Sequence, residues 1–225
     1  MHVLLIDRKP SINQGIAFFF KSKGWVVDTA FSGEEGAELA RLYDYDLILS
    51  DLLLSDITGA EVIKKIRNVG IKTPITIISG SVPVSQKINC FNLGADDFIV
   101  RPCDRNELMA RIQAIVRRAK GYANSVIKIG QMTVNLDTKI ITIAGATLKL
   151  TKKEYALLEL LALRQNMTVS KEQLLNHLYG AMDEPDIKIL DVFLFRIRNK
   201  IDKISNGKKY IQTVWGRGYI LKESE

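Results

Sequence analysis

Residues 46–69 read DLILSDLLLSDITGAEVIKKIRNV, and the change of period inside this stretch decides the fold. Residues 46–51 form a short apolar run, the pattern of a strand buried on both faces. From residue 59 to 69 the apolar positions recur at three- and four-residue spacing, which predicts an amphipathic helix. Upstream and downstream the same alternation continues. Strand patterns fall at 2–7, 25–30, 74–79 and 98–100, and helical patterns at 11–23, 33–42, 84–93 and 104–120. Ser32 with Glu35 forms a capping-box pattern at the start of the second helix. Five strands alternating with five helices predict an α/β domain with a doubly wound, five-stranded parallel sheet. In such sheets ligands sit at the carboxyl ends of the strands. The residues there are Asp7, Arg8 and Lys9, then Asp51, Ser79 with Gly80, and Arg101 with Pro102.

The second half has another rhythm. Residues 121–125 are small and polar and read as a linker between domains at 1–120 and 126–225. Brief alternating segments at 126–129, 132–136, 140–143 and 147–150 predict a small antiparallel sheet. Thr151 with Glu154 is a second capping-box pattern, opening a helix to about residue 163. A short helix is expected at 170–178 and a longer one at 187–203, where Leu190, Leu194, Ile197 and Ile201 make a buried stripe. Residues 210–214 and 219–222 flank Trp215-Gly-Arg-Gly218 and predict a hairpin. Three helices and a β-hairpin make an α+β winged helix-turn-helix.

Composition sets the outer limits. The 225 residues are 47% apolar, enough for two small cores. Runs such as VLLI and LILS fall far short of the ~20 apolar residues that cross a bilayer, so a cytoplasmic protein without membrane contact is expected. Cys90 and Cys103 lack metal-ligand spacing and read as reduced thiols. The net charge is +7. Residues 1–121 hold 16 Lys+Arg against 14 Asp+Glu, and residues 122–225 hold 16 against 11, so the excess lies in the second half. That suits a nucleic-acid partner and equally an ordinary basic surface. No nucleophile–base pair, nucleotide loop or metal cluster is legible, so an enzyme is not expected.

The segments LYDYDLILSDLLLSDITG and LGADDFIVRP in the first half, and LTKKEYALLELL, LNHLYGAMDEPDIKILDVF and YIQTVWGRGYIL in the second, carry a resemblance. The chain resembles the OmpR/PhoB family of response regulators, and its second half is similar to the cell-cycle transcriptional regulators of that family. The resemblance implies a CheY-like receiver that takes a phosphoryl group from a histidine kinase, followed by a domain that binds double-stranded DNA.

Family receivers hold Mg²⁺ with an acidic pair after the first strand and the acceptor aspartate. By resemblance the acceptor is Asp51 and one acidic residue is Asp7. The second falls at Arg8, which is not a ligand, and Lys9 follows it. Arg101 stands where the family has a phosphate-sensing lysine, while Ser79 and Phe98 keep the family's hydroxyl and switch aromatic. Attack by a carboxylate on a phosphoryl group needs a dication to neutralise both anions. Arg8 is expected to weaken Mg²⁺ binding and to sit against Asp51 as a charge-assisted pair. The alternative is that Arg8 and Lys9 point into water and Asp7 with Asp51 hold a weak Mg²⁺ site. The first reading implies reduced or absent dependence on aspartyl phosphorylation. The second implies an ordinary phosphorylation-switched regulator.

The family dimerises through the fourth helix, fifth strand and fifth helix, and the charged positions are Lys87, Asp96, Asp97, Glu107, Arg111 and Arg118. A homodimer through the receiver is therefore expected; a solvated charged face is the other reading. On the 187–203 helix the side opposite the buried stripe carries Lys188, Val192, Phe195, Arg196 and Asn199, with Arg198 beside it. Such a helix enters the major groove, where Arg and Lys reach phosphates or guanine, Asn reaches adenine and apolar groups meet thymine methyls. Phe195 as an extra core aromatic is the competing reading. The resemblance implies tandem A/T-rich half-sites. Arg217 at the wing tip is placed to enter the minor groove. Thr213 and Tyr219 match family phosphate contacts, and Trp215 is expected to pack under the wing. Residues 180–185 resemble the segment through which the family touches RNA polymerase. A protein-interaction antagonist without DNA binding is a further alternative.

Overall fold

The computed structural model describes residues 1–122, 124–179, 186–205 and 207–223. Met1–Ala119 forms one compact unit, and the described residues from Lys120 onward form another.

In the first unit β1 (His2–Ile6), β2 (Val26–Ala30), β3 (Leu47–Ser50), β4 (Ile75–Ser79) and β5 (Asp97–Val100) alternate with α1 (Pro10–Ser22), α2 (Gly33–Leu42), α3 (Gly59–Asn68), α4 (Val84–Asn92) and α5 (Arg105–Ala119). The strands are all parallel, in the order β2-β1-β3-β4-β5. Every residue of β1, β3 and β4 is buried, because helices cover both faces of the sheet. One face packs Leu4, Ile6, Ile48 and Ile77 against Val62, Ile63 and Ile66 of α3. The other packs Val3, Leu5, Leu47 and Leu49 against Phe20, Ile112 and Val116. The order reverses at β1, so the ends of β1 and β3 open a crevice where Asp7 and Asp51 sit. Thr58 caps α3 in a full capping box with Glu61. Gly59, the first residue of α3, has no room for a Cβ, which would fall 2.4 Å from the Asp51 carbonyl oxygen.

In the second unit β6 (Val126–Ile129), β7 (Met132–Asn135), β8 (Ile140–Ile143) and β9 (Ala146–Thr147) make an antiparallel sheet. α6 (Lys152–Leu163), α7 (Lys171–Tyr179) and α8 (Lys188–Asp202) follow, and then a hairpin of β10 (Ile211–Val214) and β11 (Gly218–Leu221). The last strand of the small sheet is shorter than the expected 147–150. The chain leaves the ladder to place Thr151 at the α6 N-cap, where its side chain accepts from the Glu154 amide. Leu190, Leu194, Ile197 and Ile201 are fully buried against α6 and α7 residues. Among the described residues no helix is long and apolar enough to cross a membrane.

Candidate functional site

At the carboxyl ends of the receiver-type strands one cation lies across two carboxylates. The Arg101 guanidinium donates to Asp7 Oδ2 at 2.9 Å and reaches Asp51 Oδ2 at 3.4 Å. The strand ends impose this geometry. The Asp7 amide donates to the Ala30 carbonyl and the Asp51 amide to the Ile6 carbonyl, which sets the two carboxylates side by side. The Arg101 amide donates to the Ser79 carbonyl at 2.7 Å, which holds Arg101 directly beyond β5. The remaining oxygens are also engaged: Lys9 N–H donates to Asp7 Oδ1 at 2.9 Å and Leu53 N–H to Asp51 Oδ1 at 3.3 Å. Asn13, itself buried, donates to the Asp7 carbonyl and fixes the loop from behind. Asp7 and Asp51 are buried, and the Arg101 side chain is 21% exposed.

This corrects the expected role of Arg8. Arg8 and Lys9 are exposed, and Arg101, not Arg8, is the cation on Asp51. Long side chains at the strand ends compete for one crevice, and Arg101 reaches it from an anchored backbone. The donor set does not fit Mg²⁺. The ion needs several oxygens in an octahedral array, but the third acidic position is an exposed arginine and the two carboxylates share a guanidinium. No group of three or more His, Cys, Asp or Glu poised for a metal occurs among the described residues. Ser79 is buried at the end of β4, and Phe98 is turned inward, with the Lys87 ammonium 5.6 Å from its ring centre.

On the α4–β5–α5 face Arg111 pairs within its own protomer, with Glu107 at 2.9 Å and Asp97 at 3.4 Å. Asp96 accepts from Arg67 at 3.0 Å and from the Ile75 amide. Arg118 donates to the Ala114 carbonyl. The sequence reading missed the apolar half of this face: Val84, Ile88 and Phe91 on α4 and Val100 on β5 are exposed. Their spacing of three and four along α4 was the available signal.

In the second unit, α8 turns Lys188, Val192, Phe195, Arg196 and Asn199 to solvent. Phe195 is 64% exposed, so it is not an added core aromatic. Arg198 and Thr213, expected at a nucleic-acid surface, are joined to each other: Arg198 Nη2 donates to Thr213 Oγ1 at 2.9 Å and Nε to the Ile211 carbonyl at 3.1 Å. Tyr219, expected as a phosphate contact, is buried and its hydroxyl is hydrogen-bonded to Asp191. Burial and the Asp191 carboxylate push the Tyr219 hydroxyl up to about 12, so it stays protonated and donates. Lys171 completes the cluster with an ion pair to Asp191 at 3.2 Å. These residues brace the hairpin against α8, so that Arg217 stands exposed at the turn. Trp215 does not pack under the wing: it is 91% exposed. Residues 180–185 lie outside the described residues.

Comparison with known proteins matches residues 3–113 to the response regulator receiver domain and residues 145–221 to the transcriptional regulatory protein C-terminal domain. Over 225 residues the chain is 50% identical to the "Cell cycle response regulator CtrA" of Brucella ovis and of Brucella abortus, covering all of this chain and 97% of each relative. Among solved structures, a two-component response regulator from Clostridium difficile is 33% identical, with a TM-score of 0.50, over 52% of this chain and 97% of that one. The receiver domain of the Francisella response regulator 1452 is 30% identical at the same TM-score and coverage.

Proposed function

Because the chain belongs to the OmpR/PhoB-type response regulators, with a receiver followed by a DNA-binding transcriptional regulatory domain, we propose that it is a sequence-specific transcriptional regulator that works with reduced or no dependence on aspartyl phosphorylation. The Arg101 fork across Asp7 and Asp51 carries this reading. A guanidinium already neutralises the acceptor carboxylate, and it cannot coordinate an incoming phosphoryl oxygen as Mg²⁺ does. Any phosphoryl transfer must first expel it. Asp51 is then a structural partner of Arg101, and the receiver is held in one state by its own side chain.

The DNA-reading surface is the exposed face of α8 together with the wing tip. α8 has 15 residues, about 22 Å long, enough to lie in a major groove. Val192 and Phe195 face thymine methyls, Asn199 an adenine edge, and Lys188 and Arg196 the phosphates or guanine edges, which suits tandem A/T-rich half-sites. The homodimer forms through α4–β5–α5, where the exposed Val84, Ile88 and Phe91 supply apolar contact and the charges set geometry. RNA polymerase is the downstream partner and the cytoplasm the working compartment.

A second reading, an ordinary receiver phosphorylated by a histidine kinase, draws on the retained Asp51 and Ser79 and on the longer 3.4 Å contact to Asp51. DNA affinity of the full chain separates the two. Phosphodonor treatment leaves wild-type affinity for an A/T-rich tandem site unchanged under the first reading. Under the second, phosphodonor treatment raises wild-type affinity and Asp51→Ala abolishes the gain.

A further inference from the structure

The most exposed large apolar side chain of the described residues is Trp215, at the tip of the β10–β11 hairpin. Its exposure is built in. The Tyr219 amide donates to the Val169 carbonyl and the Val169 amide to the Tyr219 carbonyl, at 2.9 and 2.8 Å. A Cβ on Gly218 would lie 2.0 Å from the Val169 oxygen, so only glycine lets β11 approach there. Gly216 and Gly218 take positive φ, and the Arg217 amide closes the turn on the Val214 carbonyl at 2.9 Å. With the base of the turn pinned, the indole stands in water.

Charge identifies what would cover it. Residues 207–223 contain Lys208, Lys209, Arg217 and Lys222 against one acid, Glu223, which pairs with Lys208, so the segment keeps a net positive charge. Arg217 is exposed two positions from Trp215. An indole beside Arg217 in a segment of net positive charge suits a polyanion that also offers flat apolar surface. The minor groove of DNA supplies both, with phosphates along its rims and deoxyribose edges as its walls.

We propose that Trp215 is itself a DNA-contacting residue: its indole packs on the deoxyribose wall of the minor groove while Arg217 enters the groove beside it. This rests on the DNA-binding reading above. The contact is apolar, so it adds affinity without releasing counterions. Arg217 does the reverse. Trp215 therefore sets how firmly the wing seats, and the salt dependence comes from the cations.

The chain carries its own probe. It has two tryptophans, and Trp25 is buried in the receiver core, so acrylamide-accessible fluorescence reports Trp215. The test titrates the full chain with a fluorescently labelled duplex bearing tandem A/T-rich half-sites. Binding is followed by anisotropy and indole accessibility by acrylamide quenching. The proposal expects saturation of the duplex to shield the indole. It also expects Trp215→Ala to weaken binding roughly tenfold with an unchanged salt slope, and Trp215→Phe to lose only about threefold. An indole that stays accessible in a complex saturated by anisotropy overturns the proposal and leaves the DNA-binding reading standing. Absence of any anisotropy change overturns both. Equal shielding by poly-glutamate overturns it in favour of an acidic protein partner.

Discussion

Replacing Arg101 by alanine removes the one cation that bridges Asp7 and Asp51. At an effective dielectric of ~20 and ~4 Å, each charge pair is worth on the order of 4 kcal/mol, and desolvation of the guanidinium offsets much of the two. Breaking a buried pair from one side costs ~3–5 kcal/mol. Arg101 keeps some solvent access, so about 2–3 kcal/mol is expected, lowering the receiver midpoint by roughly 10 °C. The same substitution frees two adjacent carboxylates. A dication bound there at ten times its Kd returns about 1.4 kcal/mol. Arg101→Ala should therefore be destabilised in EDTA, and adding Arg8→Asp, which completes the acidic set, should make it partly rescuable by millimolar Mg²⁺, while the wild type is insensitive to the ion. Thermal unfolding of the full chain checks this, with buried Trp25 as the receiver's own reporter. Equal Mg²⁺ stabilisation of wild type and of the chain carrying both substitutions, or no loss of stability in EDTA on Arg101→Ala, would refute the reasoning.

Three other outcomes are expected. Arg196→Ala and Arg217→Ala each weaken DNA binding, and each lowers the salt slope by about one for a lost phosphate contact, measured by anisotropy across a salt series. Ile88→Asp prevents self-association of the full chain in sedimentation, because a charge enters the exposed apolar strip of α4. Arg111→Glu weakens association less, since Arg111 is already satisfied by Glu107 and Asp97 in the protomer. Burial raises the Glu154 carboxyl, but hydrogen bonds from the Lys200 ammonium and from Thr151 outweigh it and leave it below the usual carboxylate range. A depressed folded value contributes stability that is complete above the unfolded value of ~4.3 and is lost as pH falls through the folded one. The second unit should therefore lose stability on acidification. Lys200→Met should lower its stability at neutral pH by about 1–2 kcal/mol, discounted for the partial exposure of Lys200, and flatten the acid limb followed by circular dichroism.

Element type was legible because each apolar period matched the face it buries. The α8 stripe of Leu190, Leu194, Ile197 and Ile201 is buried as its spacing requires. What escaped was the outcome of competition between long side chains. A sequence displays Arg8 and Arg101 each at the carboxyl end of a strand, β1 and β5, yet which one enters the crevice depends on where the backbone is pinned. The Ser79 carbonyl pins Arg101. Trp215 was misplaced for a similar reason: apolarity argues for burial, while the glycine-built turn points the indole outward. The Tyr219 hydroxyl is suited to phosphate, but Asp191 takes it up, whereas the exposed Thr213 accepts from Arg198 and keeps its own O–H to donate. The charged dimer positions were readable one by one. The Glu107–Arg111 pair follows from its i,i+4 spacing, but the Arg67–Asp96 pair does not, because those residues are far apart in the chain.

Phosphorylation of the receiver tests the central claim most directly. The full chain is incubated with acetyl phosphate at millimolar Mg²⁺, the fraction modified at Asp51 is measured by intact mass, and DNA affinity is measured on the same sample. Arg8→Asp combined with Arg101→Lys, which restores the family's metal-binding and phosphate-sensing residues, serves as the positive control. The account predicts no modification and unchanged affinity for the wild type, with measurable modification of the double variant. Stoichiometric phosphorylation of the wild type on Asp51, accompanied by a gain in DNA affinity, would contradict it.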